Sequence, residues 1–198
     1  MTTERLPMIT VFAGPNGSGK SSVTQLIPTS GVYINADDIQ RTNNCEPLEA
    51  AMLAEKMRYE AVEKGKDMTF ETVLSTDRNL KLLEYAKSRG YFIKCYYILT
   101  CNSKVNIARV AARVSSGGHD VPTDKIISRY DKCMTLLPEL IDMCDIINIY
   151  DNTVSPLRIF SKKKGKYRIW STDFWSAEQI GKLTGIKPDC SDYLGTAE

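Results

Sequence analysis

Residues 14–21, Gly14-Pro15-Asn16-Gly17-Ser18-Gly19-Lys20-Ser21, carry the clearest chemistry in the chain. They match G-x-x-x-x-G-K-[ST]. In that motif the backbone N–H groups of a glycine-rich turn converge on phosphate, a lysine reaches the β- and γ-phosphates, and a hydroxyl meets Mg²⁺. Lys20 and Ser21 fill the last two roles. Gly14, Pro15, Asn16, Gly17, Ser18 and Gly19 form the cradle, and Ser22 lies at its helical end. The motif needs a strand before it and a helix after it. Residues 8–13 are apolar and β-rich, and residues 21–27 hold no Pro or Gly, so strand, loop and helix follow in the required order. A chance glycine-rich turn is the alternative, and the flanking elements argue against it.

Four further groups could share a site with this loop. Asn35-Ala36-Asp37-Asp38-Ile39 follows the second apolar run. A carboxylate there could accept the proton of an attacking hydroxyl or help hold Mg²⁺. Asp37 is the candidate base and metal ligand, with Asp38 the alternative base or a substrate contact. An N-cap pair for a short helix starting at Ile39 explains them equally well. Glu71 and Thr72 end the third strand, where polar side chains point into the ligand crevice of a parallel sheet. They read as substrate contacts, or Glu71 as a salt-bridged surface carboxylate. Arg109 and Arg113 share one helix face ahead of Gly117-Gly118-His119-Asp120-Val121-Pro122. This reads as a lid carrying arginines for phosphoryl oxygens, against the plainer reading of a solvated basic face. Arg129 and Tyr130 on the next helix could reach the same place, and His119 could orient the lid or touch substrate. Lys162-Lys163-Lys164-Gly165-Lys166 reads as a solvated hairpin tip before a nucleic-acid patch. The strand over residues 91–99 ends without an acid, which argues against a motor or switch ATPase.

These groups need a scaffold, and the chain alternates strand and helix. Strands are expected at 32–35, 67–72, 91–99 and 145–150. Helices are expected at 47–64, 79–88, 103–114 and 123–143. Alternation predicts an α/β fold: a P-loop, nucleotide-kinase-like parallel sheet flanked by helices. Residues 157–161 and 167–170 predict a C-terminal β-hairpin, 175–183 a short helix, and the tail beyond Pro188 is expected to be loose. The 198 residues suit one domain, with a core over 8–152 and the hairpin and tail over 153–198. A net charge of +2 argues against nucleic acid and membrane surfaces as partners. The start of the chain has no long apolar segment, so a cytoplasmic protein is expected. Six cysteines show no C-x-x-C spacing and one histidine stands apart, which argues against zinc and a disulfide framework. Cys95, Cys133 and Cys144 read as buried small hydrophobes.

Over residues 8–152 the chain resembles the zeta-toxin-like P-loop kinases, most of all their short stand-alone members. The resemblance lies in Val11-Phe12-Ala13 with the loop, Asn35-Ala36-Asp37-Asp38-Ile39, Phe70-Glu71-Thr72, Arg109-Val110-Ala111-Ala112-Arg113-Val114 with Gly117 to Pro122, and Tyr150-Asp151-Asn152. It implies a phosphotransferase using ATP and Mg²⁺. Well-studied zeta toxins phosphorylate the 3′-hydroxyl of the amino sugar of UDP-N-acetylglucosamine and are neutralised by a small antitoxin. By motif position Lys20 and Ser21 would hold phosphate and Mg²⁺, and Asp37 would be the base. Glu71 and Thr72 would contact substrate, and Arg113 with Arg129 would stabilise charge, Arg109 competing with Arg113. The expected function is transfer of the ATP γ-phosphate to a small-molecule hydroxyl. The alternative is a P-loop ATPase or nucleotide-dependent switch acting through a protein partner.

Overall fold

Apolar strands alternating with helices build one mixed sheet. The computed structural model describes residues 5–187; the tail beyond Pro188 and Cys190 lie outside the described residues. Strands β1 (Met8–Ala13), β2 (Val32–Ile34), β3 (Met68–Thr72), β4 (Phe92–Leu99) and β5 (Ile146–Asp151) are parallel. Their spatial order is β2-β3-β1-β4-β5, continued by antiparallel β6 (Leu157–Lys163) and β7 (Lys166–Ile169). The P-loop strand β1 is therefore flanked by β3 on one side and β4 on the other. All five parallel strands end at the same edge, where an open α/β sheet forms its ligand crevice.

The expected hairpin exists, and it extends the sheet. Its two-residue turn, Lys164-Gly165, has φ of 51° and 72°. Two positive φ angles give the turn whose twist matches that of the strands. Lys162 leaves the basic tip: its Nζ donates to Ile141 O (2.7 Å) and Asp142 O (3.3 Å). That places a cation at the negative end of the preceding helix.

Alternate β1 residues take opposite faces. Ile9, Val11 and Ala13 join Cys95, Tyr97 and Leu99 in the main core. Buried side chains of α3 (Pro47–Glu63), α4 (Arg78–Ser88), α6 (Thr123–Met143) and α7 (Ala177–Thr184) close over them. Phe12 points the other way and stacks on Tyr96 at 5.2 Å, beneath Val23 of α1 (Lys20–Thr24). Helix α5 (Ser103–Ser115) packs through Val110 against Val121 and Ile126 at the start of α6. Helix α2 (Ala36–Asn43) buries no residue fully. Cys95, Cys133 and Cys144 are buried, and the cysteines among the described residues are free thiols. No helix among those residues is long and apolar enough to cross a membrane.

Two helix boundaries differ from expectation. Helix α1 stops at Thr24 rather than at 27, because Leu26 and Ile27 close tighter bonds to Val23 O and Thr24 O just before Pro28. Helix α2 begins at Ala36, three residues before Ile39, because Asn35 supplies the cap.

Candidate active site

The P-loop runs from the end of β1 into α1, and its glycines are forced by close approach. A Cβ on Gly14 (φ 140°) would overlap the Ile98 carbonyl, and one on Gly17 (φ 76°) would lie 2.6 Å from Asn106 O. Gly14 N–H donates to Thr72 O at 3.2 Å, tying the loop to β3. Ser18 N–H turns back to Pro15 O (3.3 Å), and Val23 N–H opens the helical ladder on Gly19 O (3.3 Å). The amides of Lys20, Ser21 and Ser22 thus have no intrahelical acceptor, as helix geometry requires of a first turn.

Three distant elements brace the loop. Fully buried Asn106 on α5 donates Nδ2 to Asn16 O (2.5 Å), and its Oδ1 accepts from Thr100 Oγ1. Asn152, after β5, donates to Ser18 O at 2.8 Å. Arg109 reaches Ser18 O (3.5 Å) and Thr153 O (3.1 Å). From α6, Arg129 Nη1 donates to Asn16 Oδ1 at 3.2 Å.

The charged groups meet in a cleft of about 640 Å³ at the C-terminal ends of the parallel strands. Lys20 Nζ donates to Gly14 O (2.6 Å) and Pro15 O (2.9 Å). Burial lowers its pKa from 10.5 to about 8, with the Glu71 carboxylate opposing the shift. Ser21 Oγ lies 3.4 Å from Glu71 Oε2. The other oxygen, Oε1, accepts from Tyr33 OH at 2.8 Å. Asn35 Nδ2 donates to Tyr33 OH (3.2 Å), while Asn35 Oδ1 accepts from Asp37 N–H (2.9 Å). The Tyr33 hydroxyl titrates above its ordinary range, chiefly through burial.

The residues expected from sequence divide into two groups. Asn16, Gly17, Gly19, Lys20, Ser21 and Ser22 line the cleft together with Asp37, Glu71, Thr72, Arg109 and Arg113. The Thr72 hydroxyl is already engaged, accepting from Leu74 N–H (3.0 Å) and Asn79 Nδ2 (2.8 Å). Gly14, Pro15 and Ser18 belong to the loop without lining the cleft, and the other expected residues lie outside that lining. Asp38 is ion-paired with Arg41 on α2 and does not line the cleft. Arg129 meets the loop through Asn16, and His119 is exposed. The His119 carbonyl accepts from Arg113 Nη2 at 2.6 Å, so the Gly117-Gly118 segment is folded back onto that arginine.

The strand over residues 91–99, which ends without an acid, is β4 and borders only one side of β1. Glu71 ends β3, the other neighbour, and faces Ser21. Sequence reasoning also gave no role to Tyr33, Asn106 or Asn152. Their signals are slight: a tyrosine two residues before Asn35, an asparagine on an otherwise apolar helix face, and the Asn152 of the Tyr150-Asp151-Asn152 string.

The family model described as Zeta toxin matches residues 47–173, which include β3 to β7 but not the P-loop. An uncharacterized protein of Haemophilus influenzae is 28% identical over 125 residues, 60% of this chain and 89% of its own length. Among solved structures, a chain from the PezAT chromosomal toxin–antitoxin system of Streptococcus pneumoniae superposes with a TM-score of 0.60 at 16% identity. That match covers 96% of this chain and 83% of the other. A chain of the AvrRxo1-ORF1:-ORF2 complex with ATP reaches a TM-score of 0.68 at 13% identity, covering 91% and 64%.

Proposed function

The chain belongs to the Zeta toxin family, and on that premise we propose that it is an ATP-dependent kinase transferring the γ-phosphate to a hydroxyl of a small molecule. One observation carries the proposal: Lys20, Ser21, Glu71, Asp37, Arg109 and Arg113 line a single cleft. Phosphoryl transfer asks for that set, with cations for the migrating charge, a base for the hydroxyl and a hard oxygen site for metal.

The residues present fit Mg²⁺. Ser21 Oγ and Glu71 Oε2 are oxygen donors 3.4 Å apart at the loop, and the described residues contain no cluster of three or more His, Cys, Asp or Glu side chains able to hold a metal. Mg²⁺ commonly takes one or two carboxylates and completes its shell from substrate phosphates and water. Bound there, it would neutralise charge on the β- and γ-oxygens.

Each side chain then has a task. Lys20, mostly protonated at pH 7, exchanges the Gly14 and Pro15 carbonyls for phosphate oxygens. Asp37 takes the proton of the acceptor hydroxyl. The acceptor oxygen bonds to the γ-phosphorus, the bond to the β–γ bridging oxygen breaks, and ADP leaves. Arg109 and Arg113 stabilise the transferring group, Arg113 first releasing the His119 carbonyl. Catalysis is positioning and preorganised charge.

The acceptor suggested by the family is UDP-N-acetylglucosamine. An antitoxin-type protein partner is the companion proposal, supported by neighbours named as a toxin–antitoxin system and as a two-component complex. The whole chain would act as one domain in the cytoplasm. Glu71 beside Ser21 also supports a second reading, hydrolysis of ATP to drive a partner. Replacing Asp37 separates the two. As a transfer base, Asp37→Ala lowers acceptor phosphorylation at least about a hundredfold, with nucleotide affinity within about twofold of wild type. Full turnover on the true acceptor would remove Asp37 from the mechanism.

A further inference from the structure

From the Asp37 backbone to the Glu71 carboxylate runs a one-directional chain of hydrogen bonds. Asp37 N–H donates to Asn35 Oδ1, which fixes that amide so that Nδ2 faces Tyr33. Tyr33 OH accepts from Asn35 Nδ2 and spends its only proton on Glu71 Oε1 at 2.8 Å. Each donor points toward Glu71, and the carboxylate keeps Oε2 turned to Ser21. Tyr33 leaves the sheet on the same face as Glu71. It pairs in register with Thr69, two residues before Glu71 on β3, and side chains two apart share a face. Asn35 also caps α2, the helix that carries Asp37.

We propose that Tyr33 and Asn35 are positioning residues that lock Glu71 into the orientation presenting Oε2 to a divalent cation at Ser21. The same two residues couple that orientation to the place of Asp37. This inference rests on the P-loop kinase reading. Without the tyrosine hydroxyl, Glu71 is free to rotate, and its second oxygen no longer has a fixed direction. Neither residue touches the reacting atoms.

Tyr33→Phe keeps the half-buried ring and removes only the hydroxyl. The assay is titration of a fluorescent ATP analogue at a series of Mg²⁺ concentrations, which requires no acceptor and no turnover. Losing one hydrogen bond to a charged group predicts about a tenfold rise in the Mg²⁺ concentration for half-maximal nucleotide binding. Binding without Mg²⁺ stays at the wild-type level, and the melting temperature reports the fold. Asn35→Ser supplies the second variant: serine keeps a cap oxygen for α2 but has no amide to donate to Tyr33. It shifts the Mg²⁺ requirement in the same direction by a smaller factor. Wild-type Mg²⁺ dependence in both variants would overturn this inference and leave the kinase reading standing. A wild-type protein with no Mg²⁺-dependent nucleotide binding would overturn both.

Discussion

Lys20 makes the nucleotide affinity of this protein depend on pH in a calculable way. Burial lowers its pKa from 10.5 to about 8, so the free loop gives up its charge well before an ordinary lysine does. A bound triphosphate restores an anionic partner and pushes the value back up. Nucleotide binding therefore takes up a proton above pH 8. The affinity is level below about pH 7.5 and falls toward tenfold per pH unit above 8. Between pH 7 and pH 9.5 the loss is about thirtyfold, or about 2 kcal/mol. The contribution of Lys20 to the stability of the free protein runs the opposite way. Its folded-state pKa lies below the unfolded one, so the unfolded chain binds more protons between pH 8 and 10.5. The Lys20 contribution to stability then rises with pH across that window, by at most about 3 kcal/mol, against the falling contribution of the buried thiols and tyrosines whose folded pKa values are raised. Cys133, the thiol near Lys20, is held at about 12 by burial, so it stays protonated in the folded protein and does not enter the binding titration, while its own linkage to stability has the opposite sign to that of Lys20. The assay is fluorescent-nucleotide titration from pH 7.0 to 9.5, with Lys20→Met alongside. Lys20→Met binds weakly at every pH and shows no slope. A wild-type affinity that stays flat to pH 9.5 would refute the burial argument for Lys20.

Two further predictions concern the scaffold. Lys164 holds a left-handed conformation in the hairpin turn, so Lys164→Asn gains about 0.5–1 kcal/mol, read as a rise of about 2 °C in melting temperature. Tyr97→Phe removes the buried bond from its hydroxyl to Cys133 O (3.0 Å) and costs about 1 kcal/mol, with a comparable fall in melting temperature.

Local pattern made most of the elements legible. The long apolar run of β4, the Gly65 and Gly90 stops after α3 and α4, and the full span of α6 across Pro138 all follow from it. Spatial order is a different matter, because it depends on crossovers that one strand does not record. Glu71 was legible as a crevice residue at the end of the third strand, but its place beside Ser21 follows from β3 lying next to β1, which no single strand records. The same limit hid the braces. Asn106 and Asn152 lie 90 and 134 residues from the loop carbonyls they hold, and neither has a spacing pattern to mark it. Asp37 and Asp38 looked alike in sequence. Only the cap by Asn35 and the ion pair with Arg41 set them apart, Asp37 lining the cleft and Asp38 tied to Arg41 outside that lining.

Phosphoryl transfer is read by following γ-³²P from ATP in the presence of sugar nucleotides, nucleosides and short oligonucleotides, with Lys20→Ala as control. Label is expected on one small-molecule acceptor and absent with Lys20→Ala. Free labelled phosphate alone, unchanged by every acceptor, would contradict it.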